Sequence, residues 1–455
     1  MTMNLRAPAV AGAFYPANPA ALDRMVGDCL AGADTEPLPA KAIIAPHAGY
    51  VYSGPIAGTA YAGVRHLGDR VTRVLLLGPA HRFGFRGIAY PSADGLATPL
   101  GVVPVDADGL AAIRGLPGVR ELDDAFDGEH SLEVHLPFIQ RVFPRASVVP
   151  LVVGNADPAQ VDAVLERLWG GPETMIVVSS DLSHFHDYAM ARGLDLETSQ
   201  AIEAADLERL SGDRACGYLP VSGLLMRARA LDLRVTTRDL RNSGDTAGDR
   251  RRVVGYGAYS VEPATEARLS HTHRALLLET ARRTLAEVVE TGRTPDVRAE
   301  DFPLPLRAIR RSFVTLEMDG SLRGCIGTIQ ATRPLVEDVV TNTLKSAMQD
   351  PRFGPLTAAE LPRVDITVSI LSHDRPLPFR DEAELPAKLR PGIDGLILRD
   401  GRNGALFLPK VWDMLPDPRD FVAQLRRKAG LPAHGPLPGL EAYRFTAETF
   451  GERLQ

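Results

Sequence analysis

Several side chains that can bind metals lie just beyond short apolar runs of the chain. The run KAIIA precedes His47, RVLLLG precedes His81, and MIVVSS precedes Asp181 and His184, while Cys216 lies shortly before a predicted helix start. Short runs rich in Ile, Val and Leu are typical of strands that are buried on both faces, as in a parallel sheet. Because open α/β sheets bind ligands outside the carboxyl ends of their strands, we expect these side chains to meet at one edge. The pattern predicts a metal site built from residues far apart in sequence.

Each of these residues also has an ordinary structural interpretation. His47 could be a loop histidine bonded to backbone, Cys216 a small buried apolar residue, and Asp181 a helix N-cap. The matching contexts of His47 and His81 favour metal binding, since neutral imidazole suits iron, copper and zinc. A thiol near a helix N-terminus, as expected for Cys216, is favoured as the thiolate, which binds metal or attacks electrophiles. We therefore predict a site of two histidines and one cysteine.

Further polar residues are predicted to support this site. In SSDLSHF, we interpret Asp181 and His184 as an acid–base or hydrogen-bonding pair beside the metal. The segment GEHSLEVHLPF contributes His130 and His135, and one of these could orient a metal ligand through a hydrogen bond. Two glutamates flank these histidines at helical spacing. We expect this second set of residues to line or approach the same cavity.

The length of the chain predicts more than one domain. Its 455 residues correspond to two or three domains at roughly 100–200 residues each. With 51 basic and 57 acidic residues, the formal net charge of −6 argues against a nucleic-acid partner. Three cysteines without a CxxC pair argue against a disulfide framework, and no apolar run reaches the ~18 residues that span a bilayer. We expect a cytoplasmic protein that does not insert into membranes.

The rhythm of apolar residues divides the chain into three parts. Residues 1–261 alternate strand-like runs with helical stretches, which indicates a layered α/β domain. Residues 262–270 are predicted to be a short linker. Residues 271–455 begin with a helical pattern and continue with strands, hairpin turns and interleaved helices, which predicts a separate α+β domain.

The second domain contains the string LRGCIG, which includes Arg323, Gly324, Cys325 and Gly327. A glycine inside a strand usually marks a bulge or the close approach of another backbone or of a ligand. The string could therefore line a pocket or groove. The alternative is a packed strand with an ordinary buried cysteine, and the sequence identifies no acid–base partner for Cys325.

The ordered strings AGAFYP, APHAGYVYSG, LLLGPAH, EHSLEVHLPF, SSDLSHF and CGYLPV resemble the Memo family. Residues 271–455, with SFVTLEMDGSLRGCIG, SAMQDPRFGPL and ELPRVDITVSIL, resemble the AMMECR domain. The resemblance implies an extradiol-dioxygenase-like α/β fold for the first domain and a metal site of His47, His81 and Cys216, with iron(II) or copper as the cofactor. Such fusions resemble components of an AmmeMemoRadiSam system, which implies a radical-SAM protein as partner.

The resemblance also constrains the expected chemistry. Class III extradiol dioxygenases bind iron(II) with two histidines and a carboxylate, whereas here Cys216 takes the carboxylate position. A thiolate is softer and favours copper(I) as well as iron. The leading hypothesis is a metal-dependent redox enzyme acting on an unknown small molecule, with His184 and Asp181 moving protons. A non-catalytic metal-binding or interaction scaffold is the main alternative, and a hydrolase that activates water is a third.

Overall fold

The computed structural model describes residues 3–33, 35–263, 269–381, 383–401, 403–435 and 439–452. The chain forms two compact units, Met1–Ala267 and Arg268–Gln455. Residues 264–268 of the predicted linker lie outside the described residues, and the last strand of the first unit continues to Pro263, past the expected boundary at 261. Within the described residues, no helix combines the length and the apolar character that a membrane-spanning segment requires.

The first unit alternates strands and helices along the chain, as the sequence predicts. Its strands are β1 Leu5–Arg6, β2 Ala42–Ala45, β3 Arg73–Pro79, β4 Ile88–Tyr90, β5 Gly95–Thr98, β6 Gly101–Pro104, β7 Val119–Glu121, β8 Ser147–Val153, β9 Thr174–Ser179, β10 His184–His186, β11 Leu233–Asn242 and β12 Val253–Pro263. Its helices are α1 Pro19–Ala31, α2 Tyr50–Val64, α3 Ala107–Ile113, α4 Leu136–Val142, α5 Pro158–Leu168, α6 Tyr188–Ala204, α7 Tyr218–Ala230 and α8 Ser243–Thr246.

A mixed sheet with strand order β10-β12-β2-β9-β3-β8-β4-β7 forms the centre of this unit, and β11 pairs with β12. Successive residues of its central strands point to opposite faces. Ile43 and Leu76 face one apolar core with helices α1, α2 and α4, while Ile44 and Leu75 face the other with α3, α5, α6 and α7. Each such fully buried side chain contributes about 1.5–3 kcal/mol to folding. The layered α/β prediction is confirmed.

The sheet topology brings three carboxyl ends together. Strand β9 pairs in parallel with β2 on one side and with β3 on the other. The residues that leave these strands are His47 after β2, His81 after β3 and Asp181 after β9. Because parallel neighbours end at the same edge, residues 134 positions apart in sequence approach each other there.

The second unit is an α+β domain built on two antiparallel sheets. The strands are β13 Arg311–Met318, β14 Ser321–Gly327, β15 Val364–Leu371, β16 Arg375–Pro376, β17 Gly395–Asp400, β18 Asn403–Phe407, β19 Glu441–Phe445 and β20 Ala447–Gly451. The helices are α9 His271–Thr291, α10 Leu304–Arg307, α11 Leu335–Met348, α12 Glu384–Ala387 and α13 Pro418–Lys428. The sheet orders are β14-β13-β15-β20 and β16-β19-β17-β18.

Each sheet of this unit packs against its own helices. Apolar residues of α9 and α11 cover one face of the first sheet, where Val314 and Ile366 are fully buried. Phe421 of α13 stacks on Trp412 beside the second sheet, with ring centroids 3.8 Å apart. Helix α9 ends at Gly292, whose φ of +71° is the left-handed conformation that glycine adopts most easily. The predicted α+β architecture is confirmed.

Candidate metal centre

His47, His81 and Cys216 come together at the carboxyl edge of the central sheet. One ligand atom from each lies within 4.8 Å of the other two, and the His47 Nε2 atom is 3.4 Å from the Cys216 Sγ atom. Nitrogen and sulfur ligands lie about 2.0–2.3 Å from a small metal ion, so two of them on one ion are on the order of 3.5 Å apart. The donor types and their spacing therefore fit a metal ion.

A chain of buried hydrogen bonds fixes the ring of His47. The Ser179 hydroxyl donates to the Ser131 carbonyl oxygen at 2.6 Å, so its oxygen accepts from the His47 Nδ1–H at 2.6 Å. It also accepts from the His135 Nε2–H at 3.0 Å, while the Tyr61 hydroxyl donates to His135 Nδ1 at 3.1 Å. This arrangement leaves the His47 Nε2 lone pair free and directed at Cys216. His135 thus supports His47 through Ser179.

A carboxylate orients His81 in the same manner. The His81 Nδ1–H donates to Glu129 Oε1 at 3.0 Å, and the His81 backbone N–H donates to Glu129 Oε2 at 2.6 Å. The backbone N–H groups of His130 and Ser131 also donate to this carboxylate. Burial opposes its ionisation, but these hydrogen bonds outweigh burial and hold the pKa of Glu129 at about 2. A carboxylate–histidine pair of this kind fixes the ring and leaves its second nitrogen available to a metal.

Cys216 is held against the end of strand β9. Its backbone N–H donates to the Asp181 carbonyl oxygen at 3.2 Å, and the Asp181 backbone N–H donates to Cys216 Sγ at 3.3 Å. A side chain at Gly217 would place a Cβ atom 2.4 Å from the Ser179 carbonyl oxygen, so this approach requires glycine. Helix α7 begins one residue later, at Tyr218. Burial, with the nearby Asp181, raises the pKa of the Cys216 thiol well above its usual range. The helix start therefore does not by itself favour the thiolate that the sequence led us to expect, because burial outweighs it.

Asp181 also connects the two ligand-bearing loops. Its Oδ1 atom accepts from the backbone N–H of His47 at 2.8 Å, and the side chain is 3% exposed. Burial raises the pKa of this carboxyl group to about 7, against the opposing effect of the His47 N–H. Asp181 therefore positions both His47 and Cys216 through hydrogen bonds.

His184 lies on strand β10, near enough to His47 to help lower its pKa, but it is not among the residues that line the cavity beside His81 and Cys216. Its Nδ1–H donates to the Leu182 carbonyl oxygen at 2.8 Å, which leaves Nε2 as a free proton acceptor. Burial and the neighbouring His81 lower the pKa of His184. The next residue, Phe185, has a φ of +64°, an uncommon conformation for a bulky residue, and its side chain is exposed. The His184 and Phe185 rings pack edge to face, with centroids 5.7 Å apart.

His130 stacks on His81 with ring centroids 4.7 Å apart and also lies edge-on to His47. Its Nδ1 atom is buried and, among the described residues, has no hydrogen-bond partner. Burial and His81 lower the pKa of His130 to about 4, and burial lowers that of His47 far below the usual range. These rings are therefore neutral near pH 7, as metal binding requires. His81, Glu129 and His130 form a second group of atoms close enough to share an ion.

The predicted motif of the second unit lies on strand β14. Arg323 is the extra residue of a bulge and forms an ion pair with Glu360 at 2.8 Å. A Cβ atom on Gly324 would meet the Ser346 carbonyl oxygen of α11 at 2.2 Å, and one on Gly327 would meet the Phe313 ring. Half-buried Cys325 accepts a hydrogen bond from the Thr315 hydroxyl at 3.3 Å. Packing therefore accounts for both glycines of LRGCIG.

Three residues that organise the first site were not predicted from the sequence. Ser179 lies in the quoted string MIVVSS, Glu129 lies beside His130, and Gly217 follows Cys216, but none was assigned a role. A polar residue at the end of an otherwise apolar strand was the available signal for Ser179. An acid next to a histidine was the signal for Glu129, although its partner is His81.

Comparisons with known proteins cover both units. A sequence model of the family described as "Memo-like protein" matches residues 6–260, and one described as "AMMECR1" matches residues 278–450. A MEMO1 family protein of Methanosarcina barkeri is 34% identical over 272 residues, covering 57% of this chain and all of that protein. A MEMO1 family protein of Aquifex aeolicus is 35% identical over 266 residues, covering 56% of this chain and 98% of that protein.

One solved structure is also similar to part of the chain. The crystal structure of an uncharacterized protein from Pyrococcus horikoshii has 33% sequence identity and covers 39% of this chain and 91% of its own. The TM-score of that alignment is 0.37.

Proposed function

Because the chain belongs to the Memo-like protein family through residues 6–260, we propose that its first unit is a metal-dependent redox enzyme related to class III extradiol dioxygenases. The observation that carries the proposal is the ligand set, in which His47, His81 and Cys216 present donors within 4.8 Å of one another. Separate hydrogen bonds to Ser179 and Glu129 fix the orientation of the two imidazole rings. Metal-binding histidines typically have such a partner for the second ring nitrogen.

We assign iron(II) or copper to this site. Two imidazoles and a thiolate suit both metals, whereas a carboxylate in place of Cys216 would favour iron more strongly. A bound redox metal would supply electron transfer and an open coordination position for an oxidisable small molecule. The protein's own residues would hold the metal, exclude water on the buried side and accept protons.

His184 is the residue that we propose for proton transfer. Its Nδ1–H is committed to the Leu182 carbonyl oxygen, so its Nε2 atom is the one that accepts a proton from a substrate hydroxyl or related group. Asp181 is proposed to act mainly by holding the His47 and Cys216 segments in place. Its assignment to proton transfer remains a prediction.

An open pocket favours an enzyme over a closed metal-binding scaffold. A cavity of about 600 Å³ adjoins the ligand set, and His81 and Cys216 are among its lining residues. This volume matches the range of small-molecule sites, about 300–1,000 Å³. The scaffold remains the alternative, and it predicts stoichiometric metal with no turnover of any small molecule.

Metal analysis of protein purified without oxygen tests the assignment. We expect about one iron or copper per chain in the wild type and a sharp loss in Cys216→Ser, with unchanged circular dichroism. Cys29→Ser is the matched control, because Cys29 is a half-buried thiol that is absent from the candidate ligand groups of the described residues. Equal metal content in both variants and the wild type would refute the ligand set.

We further propose that a radical-SAM protein acts with this chain. The support is that Memo-like and AMMECR1 regions are joined in one chain, which resembles fusions associated with such a partner. Isothermal titration of the full chain with a purified radical-SAM protein from the same source should give saturable binding. A lack of heat exchange, together with independent elution in size-exclusion chromatography, would contradict the partnership.

A further inference from the structure

The pocket beside the ligand set has an unusual charge. Its lining includes two arginines, Arg82 and Arg86, and no aspartate or glutamate among the described residues. The chain as a whole carries a formal net charge of −6. The side chains that line the pocket therefore carry a positive net charge, whereas the net charge of the whole chain is negative.

The two arginines come from the loop that carries His81 out of strand β3. They flank Phe83, Gly84 and Phe85 in the segment before β4. Arg82 is close enough to the ring stack that it contributes to the lowered pKa of His130. The loop therefore places positive charge beside the metal-ligand cluster.

Neither arginine is neutralised within the described part of the chain. Within the described residues, Arg82 and Arg86 form no ion pair and no side-chain hydrogen bond. Other arginines of this unit do pair with acids, as Arg227 does with Asp162. Isolated surface arginines are commonly solvated and without a role. Arg82 and Arg86 differ from such residues, because they line the same acid-free pocket next to the candidate metal ligands. A pocket concentrates the electrostatic field of its charged residues and so attracts ligands of opposite charge.

The remaining lining sets the shape of a ligand. Phe83, Tyr218 and Leu219 give the pocket apolar walls, and Phe83 is 39% exposed. Asn155 adds a neutral polar group. Such walls bury an apolar body, while the few polar groups of a pocket determine orientation.

We propose that the substrate is a small organic anion, whose carboxylate or phosphate binds Arg82 and Arg86 and whose apolar body contacts Phe83, Tyr218 and Leu219. This inference rests on the proposed function, because it names the substrate class of the same site. Guanidinium groups bind carboxylates and phosphates through paired hydrogen bonds, so both anion types share this chemistry.

Matched probes test the charge requirement. Phenylacetate and phenyl phosphate are compared with phenylacetamide, which has a similar body and no charge, using ligand-detected NMR on the full chain. We expect the wild type to bind an anion more tightly than the amide. Arg82→Gln and Arg86→Gln should each weaken anion binding roughly fivefold, and the double variant should weaken it on the order of tenfold or more. A preference for one of the two anions distinguishes carboxylate from phosphate.

The controls separate this inference from the metal assignment. Arg145→Gln removes an exposed arginine that does not line the pocket and should leave anion binding unchanged. Metal content is measured in parallel and should stay at the wild-type value in Arg82→Gln and Arg86→Gln. A wild type that binds anions but no metal would refute the proposed function alone. Equal binding of acid and amide, no binding of either anion, or full binding by the double variant would overturn the substrate class.

Discussion

Replacing Ser179 with alanine tests whether the hydrogen-bonding chain behind His47 creates the metal site. The hydroxyl of Ser179 contacts three buried groups: the His47 Nδ1–H, the His135 Nε2–H and the Ser131 carbonyl oxygen. Ser179 itself is 0% exposed. Ser179→Ala removes one oxygen atom and leaves all three groups without this partner.

The structure allows two separate magnitudes to be expected. Each buried polar group left without a partner costs about 1–3 kcal/mol, so the free energy of unfolding should fall by about 3 kcal/mol or more. Loss of a hydrogen bond that orients a metal-ligating histidine typically costs about 10–100-fold in metal affinity. His47 is still present in this variant, and its Nε2 atom can still bind the metal. Weaker metal binding would therefore show that the orientation of the His47 ring matters, because no ligand has been removed.

Two measurements follow these effects. Urea unfolding is monitored through Trp169 of the first unit, in a Trp412→Phe background shared by all variants, and iron(II) or copper(I) affinity is measured without oxygen against a competing chelator. Ser199→Ala is the matched control, because Ser199 is buried and its hydroxyl is 2.7 Å from the Tyr259 hydroxyl, outside the site. It should lower stability by about 1 kcal/mol and leave metal affinity unchanged. Wild-type metal affinity in Ser179→Ala would refute the reasoning, even if stability falls.

Three further outcomes are expected. His184→Gln should retain metal and lose turnover, measured by metal analysis and substrate oxidation, whereas metal loss equal to that of a ligand variant would make His184 a ligand. Asp195 has its pKa raised to about 6 by burial, against a hydrogen bond from Ser183, so the unfolded chain ionises first and stability falls as the pH rises from about 4 to 6. This difference between the folded and unfolded pKa of Asp195 corresponds to a loss of about 3 kcal/mol in the free energy of unfolding. Asp195→Asn should abolish that loss when urea unfolding is measured across this pH range. A pH profile equal to that of the wild type would show that Asp195 is not its source. Half-buried Cys325, bonded to the Thr315 hydroxyl, should react with a small thiol reagent in a native variant lacking the other cysteines, whereas protection until unfolding would make it a core residue.

The position of the site could be predicted because its signals are local. Strands β2, β3 and β9 are apolar on both faces, which only a sheet covered by helices on both sides accommodates. Once strands are parallel neighbours, residues such as His47 and His81 must leave the sheet at the same edge. The sequence also predicts a helix that starts shortly after Cys216, and α7 begins at Tyr218.

The orientation of the ligands could not be predicted in this way. Nothing in the sequence indicates that β9 lies between β2 and β3, and that strand order is what puts Ser179 beside His47. The tautomer of His47 depends on where Ser179 sends its only proton, and the acceptor is the carbonyl oxygen of Ser131, 48 residues away. Long-range hydrogen bonds of single side chains leave no periodic pattern, so spacing rules do not detect them.

The pair Glu129 and Glu133 shows how a spacing rule can mislead. Four residues apart, they would share one face of a helix. The segment instead makes a turn before a short 3-10 helix at Glu133–His135, so the two carboxylates have different partners. Glu129 binds His81, whereas Glu133 accepts hydrogen bonds from Tyr15 and from Arg6 near the start of the chain. One acid therefore orients a candidate metal ligand and the other holds the N-terminal segment, a division of roles set by the local backbone path and not by residue type.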